Sequence, residues 1–186
     1  MKKWDVRKVF ASTRNRSVEI GEGFAGEGPN AAHINTVLGL RNGPVGTAFA
    51  TALAQPTPGH VPFLAVWAPN VPVQPPTLFV NKATITNDRH GELTWGAAQA
   101  GVAAGVTAYV AERCGEVSMD ELVLIVAVWV NPDASDADAV FANNREATAA
   151  ALRRGGEGTD PHADSQSAIA ALRAGRQPHN PYFQPR

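Results

Sequence analysis

The chain has 186 residues, 44% of them hydrophobic and 18% charged, with a formal net charge of −1 at pH 7 and one cysteine. That length suits one domain whose core closes without disulfide staples. The balanced charge gives no global field for nucleic acid or an anionic membrane, and the lone Cys114 forms no internal bridge, so a reducing cytoplasm is the expected location.

Residues 1–17 open with Met1-Lys2-Lys3-Trp4-Asp5 rather than an apolar leader and gather Lys2, Lys3, Arg7, Lys8, Arg14 and Arg16 without interleaved aromatic platforms. They read as a solvated N-terminal extension. Ser17-Val18-Glu19-Ile20 alternates as a short strand and stops at glycine, and Ala32 to Leu38 follows as a second strand after the glycine-rich run Gly26-Glu27-Gly28-Pro29-Asn30. Val45 to Leu53 is a short alanine-rich helix candidate. Val61 to Trp67 and Thr77 to Thr86 are the next strands, separated by the proline-dense segment Pro69 to Pro76. Gly96 to Arg113 carries Ala98, Val102, Val106 and Tyr109 at helical spacing, with Cys114 just beyond as a partly buried thiol. Leu122 to Val130 is continuous and apolar, too short for a membrane helix, and reads as a buried strand. Ala137 to Arg154 is the last long helix, started by the cap-like Ser135 and ended at Gly155-Gly156. The order β-β-α-β-β-α-β-α is that of an α+β domain spanning 18–154. The polar remainder, 155–186, with a short amphipathic piece at Ser167 to Arg173, is expected to pack as a tail on the domain or on a neighbouring subunit.

Period-2 geometry sets His33 and Asn35 on one face of their strand, and Lys82 and Thr84 on one face of theirs. Two explanations stand side by side: one sheet face is simply wet, or the pairs line a polar pocket. Histidine, with an unperturbed pKa near 6.5, suits proton transfer near neutral pH, although a lone histidine is more often structural. Gln99, in the first turn of its helix, offers an amide that both donates and accepts. No Cys/His cluster has metal-ligand spacing.

The residues Gly21-Glu22, Gly26-Glu27-Gly28, Ala32-His33-Ile34, Thr47-Ala48-Phe49, Leu64-Ala65-Val66 with Ala68-Pro69-Asn70, Thr77-Leu78, Asn81-Lys82 with Thr84-Ile85, Ala98-Gln99 and Glu146-Ala147-Thr148 form an ordered set over about 18–154. In that set the chain resembles the formaldehyde-activating enzymes of one-carbon metabolism. The resemblance implies a fold like the second domain of ribosomal protein S5, a cyclic homopentamer with pterin sites near subunit contacts, and condensation of formaldehyde with tetrahydromethanopterin to methylene-tetrahydromethanopterin and water. It implies that His33 is the proton donor and that Asn35, Leu64, Lys82, Thr84 and Gln99 contact the substrate, in a reaction that requires no metal. A protonated carbinolamine hydroxyl leaves as water, and the resulting iminium is captured by the second pterin nitrogen.

The chain departs from the usual pattern of that family at four places. Asn35 stands where aspartate is usual, Gln74 where lysine is usual, Ala97 where proline is usual, and Asn144-Arg145 where an aromatic pair is usual. These departures keep two alternatives beside the family reaction: an enzyme for another reduced pterin or amine acceptor, and a non-catalytic binder of pterin or formaldehyde.

Overall fold

The computed structural model describes residues 18–113, 119–156, 161–179 and 183–184. The basic N-terminal extension and Cys114 lie outside the described residues. Strands β1 (Val18–Ala25) and β2 (Ala32–Leu40) form a hairpin, followed by helix α1 (Pro44–Ala54), then β3 (Phe63–Leu64), a small hairpin of β4 (Val66–Ala68) and β5 (Val71–Pro72), and β6 (Thr77–Asn81). Helix α2 (Asp88–Glu92) runs through a π-helical turn at Leu93–Ala98 into α3 (Gln99–Arg113). Strand β7 (Leu122–Trp129) and helices α4 (Ala137–Gly156) and α5 (Pro161–Arg173) complete the order. The main sheet has the order β1-β2-β7-β6-β3, with β6 and β7 parallel and the other pairs antiparallel. The architecture is α+β: one mixed sheet with helices.

Alternation decides which side of the sheet each residue serves. Ile34, Leu38, Leu124, Val126, Val128 and Phe79 are fully or almost fully buried on the helix side, beneath α3 and α4. Each such side chain contributes about 1.5–3 kcal/mol by leaving water. Strand β1 meets α4 without side chains: a Cβ on Gly21 would lie 1.8 Å from the Ala151 carbonyl oxygen, and one on Gly23 would lie 2.1 Å from that of Ala147. The same helix is tied to the β1–β2 turn, where Gly26 and Gly28 take positive φ. There Asn143 Nδ2 donates to the Asn30 carbonyl at 2.8 Å, while Asn30 Oδ1 accepts from the backbone N–H groups of Ser135 and Asp136. At its far end, Arg154 Nη1 donates to the Glu22 carbonyl at 2.8 Å.

Several element boundaries differ from those expected. The segment Val61 to Trp67 is not one strand: Ala65 donates to Thr77 and accepts from Val73, which hands the chain from β6 to the β5 side. Thr77 to Thr86 is not one strand either. Asn81 Nδ2 donates to the carbonyls of Gly59 at 2.7 Å and Ala83 at 2.8 Å, a local side-chain bond that bends the backbone and ends β6. The common face assigned to Lys82 and Thr84 therefore has no strand beneath it. The helix expected from Gly96 begins at Asp88, because Asn87 accepts from the His90 N–H as its cap and the π turn carries the chain on into α3. Asp136, not Ser135, caps α4 through a 3.0 Å bond from the Ala139 N–H, and the helix runs through Gly155 to Gly156. Asn144 is buried against Gly101, where α3 and α4 approach closely. In α5, Ile169 and Leu172 are exposed.

Gly21→Ala should lower the unfolding free energy by about 3 kcal/mol, since backbone rather than a mobile side chain fills the space. Gly96→Ala, where an added Cβ meets nothing within 4 Å, should be neutral or stabilise by up to about 1 kcal/mol. Urea unfolding of both variants checks the contrast.

Candidate active site

The sheet face opposite α3 and α4 carries the polar chemistry. In β1, Glu22 and Phe24 point to this face, and the hairpin register sets Glu22 opposite Asn35 and Phe24 opposite His33. Phe24 and His33 stack with ring centroids 4.1 Å apart and planes 13° apart, which fixes the imidazole plane. His33 Nε2 lies 2.7 Å from Glu22 Oε1. The side chains of His33 and Glu22 are 22% and 54% exposed, so the pair is reachable from solvent.

The hydrogen bond from His33, helped by Asn35 and by the charge of Lys82, holds the Glu22 carboxyl below the usual carboxylate range against the opposing effect of burial. An ionised carboxylate only accepts, so Nε2 carries the proton in this contact. Asn35 Nδ2 donates to the same Glu22 oxygen at 3.3 Å, and Asn35 Oδ1 accepts from Lys82 Nζ at 2.9 Å. This is the one amide orientation that presents a donor to the carboxylate and an acceptor to the amine. Lys82 reaches Asn35 from just past the end of β6. In the cross-strand row Asn35–Ala127–Val80, only the methyl of Ala127 stands on the intervening strand. Burial pushes the Lys82 amine down to about 8, against a smaller upward pull from Glu22.

Of the expected site residues, His33, Asn35 and Lys82 thus form one connected network. The others are held elsewhere. Leu64 is 43% exposed on β3, in the row Ile20–Val37–Ile125–Leu78–Leu64 of the same sheet face. Three strand spacings, about 14 Å, separate β3 from β2. Thr84 bonds to His60 Nε2 at 2.9 Å, and His60 Nδ1 donates to the Asn81 carbonyl at 3.0 Å. Because that carbonyl only accepts, Nδ1 carries a proton, and in the neutral ring Nε2 accepts from the Thr84 hydroxyl. Gln99 Nε2 donates to the Val66 carbonyl at 2.7 Å, which leaves its oxygen to face other groups. His90, by contrast, is a structural histidine: it is buried, bonded to the Val130 carbonyl through Nε2 and to Thr86 through Nδ1.

Glu22, Phe24 and His60 contact the expected site residues, and sequence reasoning missed them. The first two were within reach, because a tight glycine turn joining two strands fixes which residues face each other. Counting outward from Ala25 and Ala32 sets Phe24 against His33. His60 meets Thr84 only through the irregular loop, for which the sequence carries no comparable signal.

Comparison with known proteins bears on what such a face does. The family described as "Formaldehyde-activating enzyme (Fae)" matches residues 20–170. A 5,6,7,8-tetrahydromethanopterin hydro-lyase of Methanosarcina barkeri is 45% identical over 140 residues, covering 75% of this chain and 79% of the relative. A bifunctional enzyme Fae/Hps of Methanothrix thermoacetophila is 42% identical over 75% of this chain but only 36% of its own length. Another bifunctional enzyme Fae/Hps, from Methanosarcina barkeri, is 40% identical over 73% of this chain and 35% of the relative. The chain therefore spans about a third of the bifunctional relatives.

Glu22→Gln keeps an acceptor for Nε2–H and removes the charge. A carboxyl with a lowered folded-state pKa stabilises the fold above pH 4.5 and loses that contribution as pH falls through the lowered value. Wild type should exceed the variant by no more than about 1 kcal/mol at neutral pH, since the pair is partly exposed, and the gap should close in strong acid. Urea melts at neutral and at strongly acidic pH measure it.

Proposed function

The chain belongs to the formaldehyde-activating enzyme family, and on that premise we propose how its own residues carry the reaction. The protein is a lyase that condenses formaldehyde with tetrahydromethanopterin, giving methylene-tetrahydromethanopterin and water. The pterin is a co-substrate, and the reading needs no metal. His33 is the proton donor. The observation that carries this role is the 2.7 Å contact of Nε2 with Glu22, which fixes the imidazole on the solvent-reachable face of the sheet.

A pterin nitrogen adds to formaldehyde, and the carbinolamine hydroxyl is a poor leaving group until it is protonated. His33 acts as the imidazolium: it protonates the hydroxyl, water leaves, the second nitrogen closes the ring, and the proton that nitrogen sheds returns to His33. General acid catalysis of this kind contributes about 10²- to 10⁴-fold. Asn35 and Lys82 orient the polar edge of the pterin beside His33, Leu64 packs on its face, and Thr84 and Gln99 bond to its heteroatoms.

The separation of Leu64 from the His33 network supports a site completed between copies of the chain. In the proposed assembly, a cyclic homopentamer of domains resembling the second domain of ribosomal protein S5, Leu64, Thr84 and Gln99 of one copy meet His33 of the next. The domain is 18–154, 1–17 is an extension, and the exposed Ile169 and Leu172 of the 155–186 tail pack on the neighbouring subunit. Among the described residues no helix is long and apolar enough to cross a membrane. The proposed location is the cytoplasm, and no nucleic acid takes part.

His33→Ala should keep the fold and lose about 10²- to 10⁴-fold of the acceleration over the spontaneous condensation. Absorbance assays of methylene-tetrahydromethanopterin formation check this, and undiminished formation by the variant would overturn the assignment.

A further inference from the structure

Lys82 is the only lysine beyond residue 8; the other cations from residue 9 onward are arginines, apart from histidine. A position that needed only a positive charge or a fork of donors would accept arginine, which stays protonated throughout the physiological range. An amine offers what arginine does not: a lone pair once its proton is gone. At Lys82 the surroundings favour that state. The side chain is half-buried, its fixed partner is the neutral oxygen of Asn35, and the carboxylate of Glu22 stands one residue further along the network. Burial holds the amine at about 8. About one molecule in ten then carries the free amine at neutral pH, against about one in three thousand for a lysine at 10.5. The bond to Asn35 uses one N–H and holds the nitrogen in place.

We propose that Lys82 is a covalent catalyst, capturing formaldehyde as an iminium on Nζ before the carbon passes to the pterin. This rests on the reading of formaldehyde as substrate. The Nζ lone pair adds to the carbonyl carbon, the C=O π electrons move to oxygen, and a proton shift gives the carbinolamine Nζ–CH₂–OH. In this order the carbinolamine that His33 dehydrates stands on Nζ rather than on a pterin nitrogen: the imidazolium proton takes the hydroxyl away as water, leaving Nζ=CH₂ with a positive charge. The first pterin nitrogen attacks this carbon, and its proton moves to Nζ. Nζ then departs as the free amine, leaving the methylene iminium on the pterin, where the second nitrogen adds and returns its proton to His33. The sum is formaldehyde plus two N–H groups giving N–CH₂–N and water, with no change of oxidation state. Lys82 and His33 end as they began. Captured in this way, formaldehyde is held at the network before the larger substrate arrives.

The test treats the full-length wild-type chain at neutral pH with dilute formaldehyde and cyanoborohydride, without pterin, and locates N-methylated lysines by peptide mass mapping. Lys82 should be methylated at least about tenfold faster than Lys2, Lys3 and Lys8. In parallel, Lys82→Arg retains a cation and a donor for Asn35 but no nucleophile. It should lose at least about a hundredfold in kcat while KM for tetrahydromethanopterin changes by less than about threefold. A Lys82 methylated no faster than the three N-terminal lysines, or a Lys82→Arg enzyme with kcat within about threefold of wild type, would overturn the proposal. Trapping needs no pterin. A wild-type chain that methylates Lys82 first but forms no methylene-tetrahydromethanopterin therefore supports the lysine adduct and removes the assigned carbon acceptor.

Discussion

The contact on which the rest of the molecule depends is the approach of α4 to β1, close enough that carbonyl oxygens of the helix occupy the space where strand side chains would be. Only glycine fits at 21 and 23. Because side chains alternate along a strand, the residues between and beyond these glycines point away from the helix, and Glu22 and Phe24 stand on the opposite face. The steric demand of the helix thus sets the phase of the strand. Glycine-rich strands are otherwise prone to slip in register, and a slip of one residue would carry Glu22 to the helix side. Asn30 and Arg154 pin the turn and the strand to the two ends of the same helix, so Glu22 reaches His33 with little freedom.

On the open face, the hydrogen bonds run from Lys82 to Asn35 to Glu22, and from His33 to Glu22. An amide between an amine and a carboxylate is satisfied at both ends. A carboxylate at position 35 would face Glu22 directly across the hairpin, with like charges opposed, and would hold the lysine in its charged form. The neutral amide leaves Glu22 as the carboxylate that the described residues of the network share. In sequence, the exchange of the usual aspartate for Asn35 removes a support for a protonated histidine. In the folded chain the carboxylate that meets His33 Nε2 is instead that of Glu22, the cross-strand partner of position 35.

Periodicity is enough to find the elements with regular backbone and dense apolar content: β2, β7, α1 and the body of α3. It also sets His33 and Asn35 together, because β2 is regular through both. It fails where side chains bond to backbone. Asn81 stops β6 before Lys82, and Ala65 splits the third expected strand. Asn87 caps a helix that starts at Asp88, well ahead of Gly96, and the π turn at Leu93–Ala98 breaks the α-helical repeat that would have extended the reading back to that cap. The family resemblance supplies Lys82 as a site residue where alternation gives the wrong reason for it. Glu22 lies within the matched text and carries no role until the hairpin register sets it against Asn35.

The division of labour between the two faces of β1 also bears on how such a protein can change over generations. Positions 21 and 23 tolerate almost no substitution, yet they take no part in chemistry, while positions 22 and 24 can vary without disturbing the contact with α4. Selection on the reaction and selection on the fold therefore act on alternate letters of the same short segment. A lineage can trade one charge arrangement for another on the open face, as between amide and carboxylate at position 35, and inherit the scaffold unaltered.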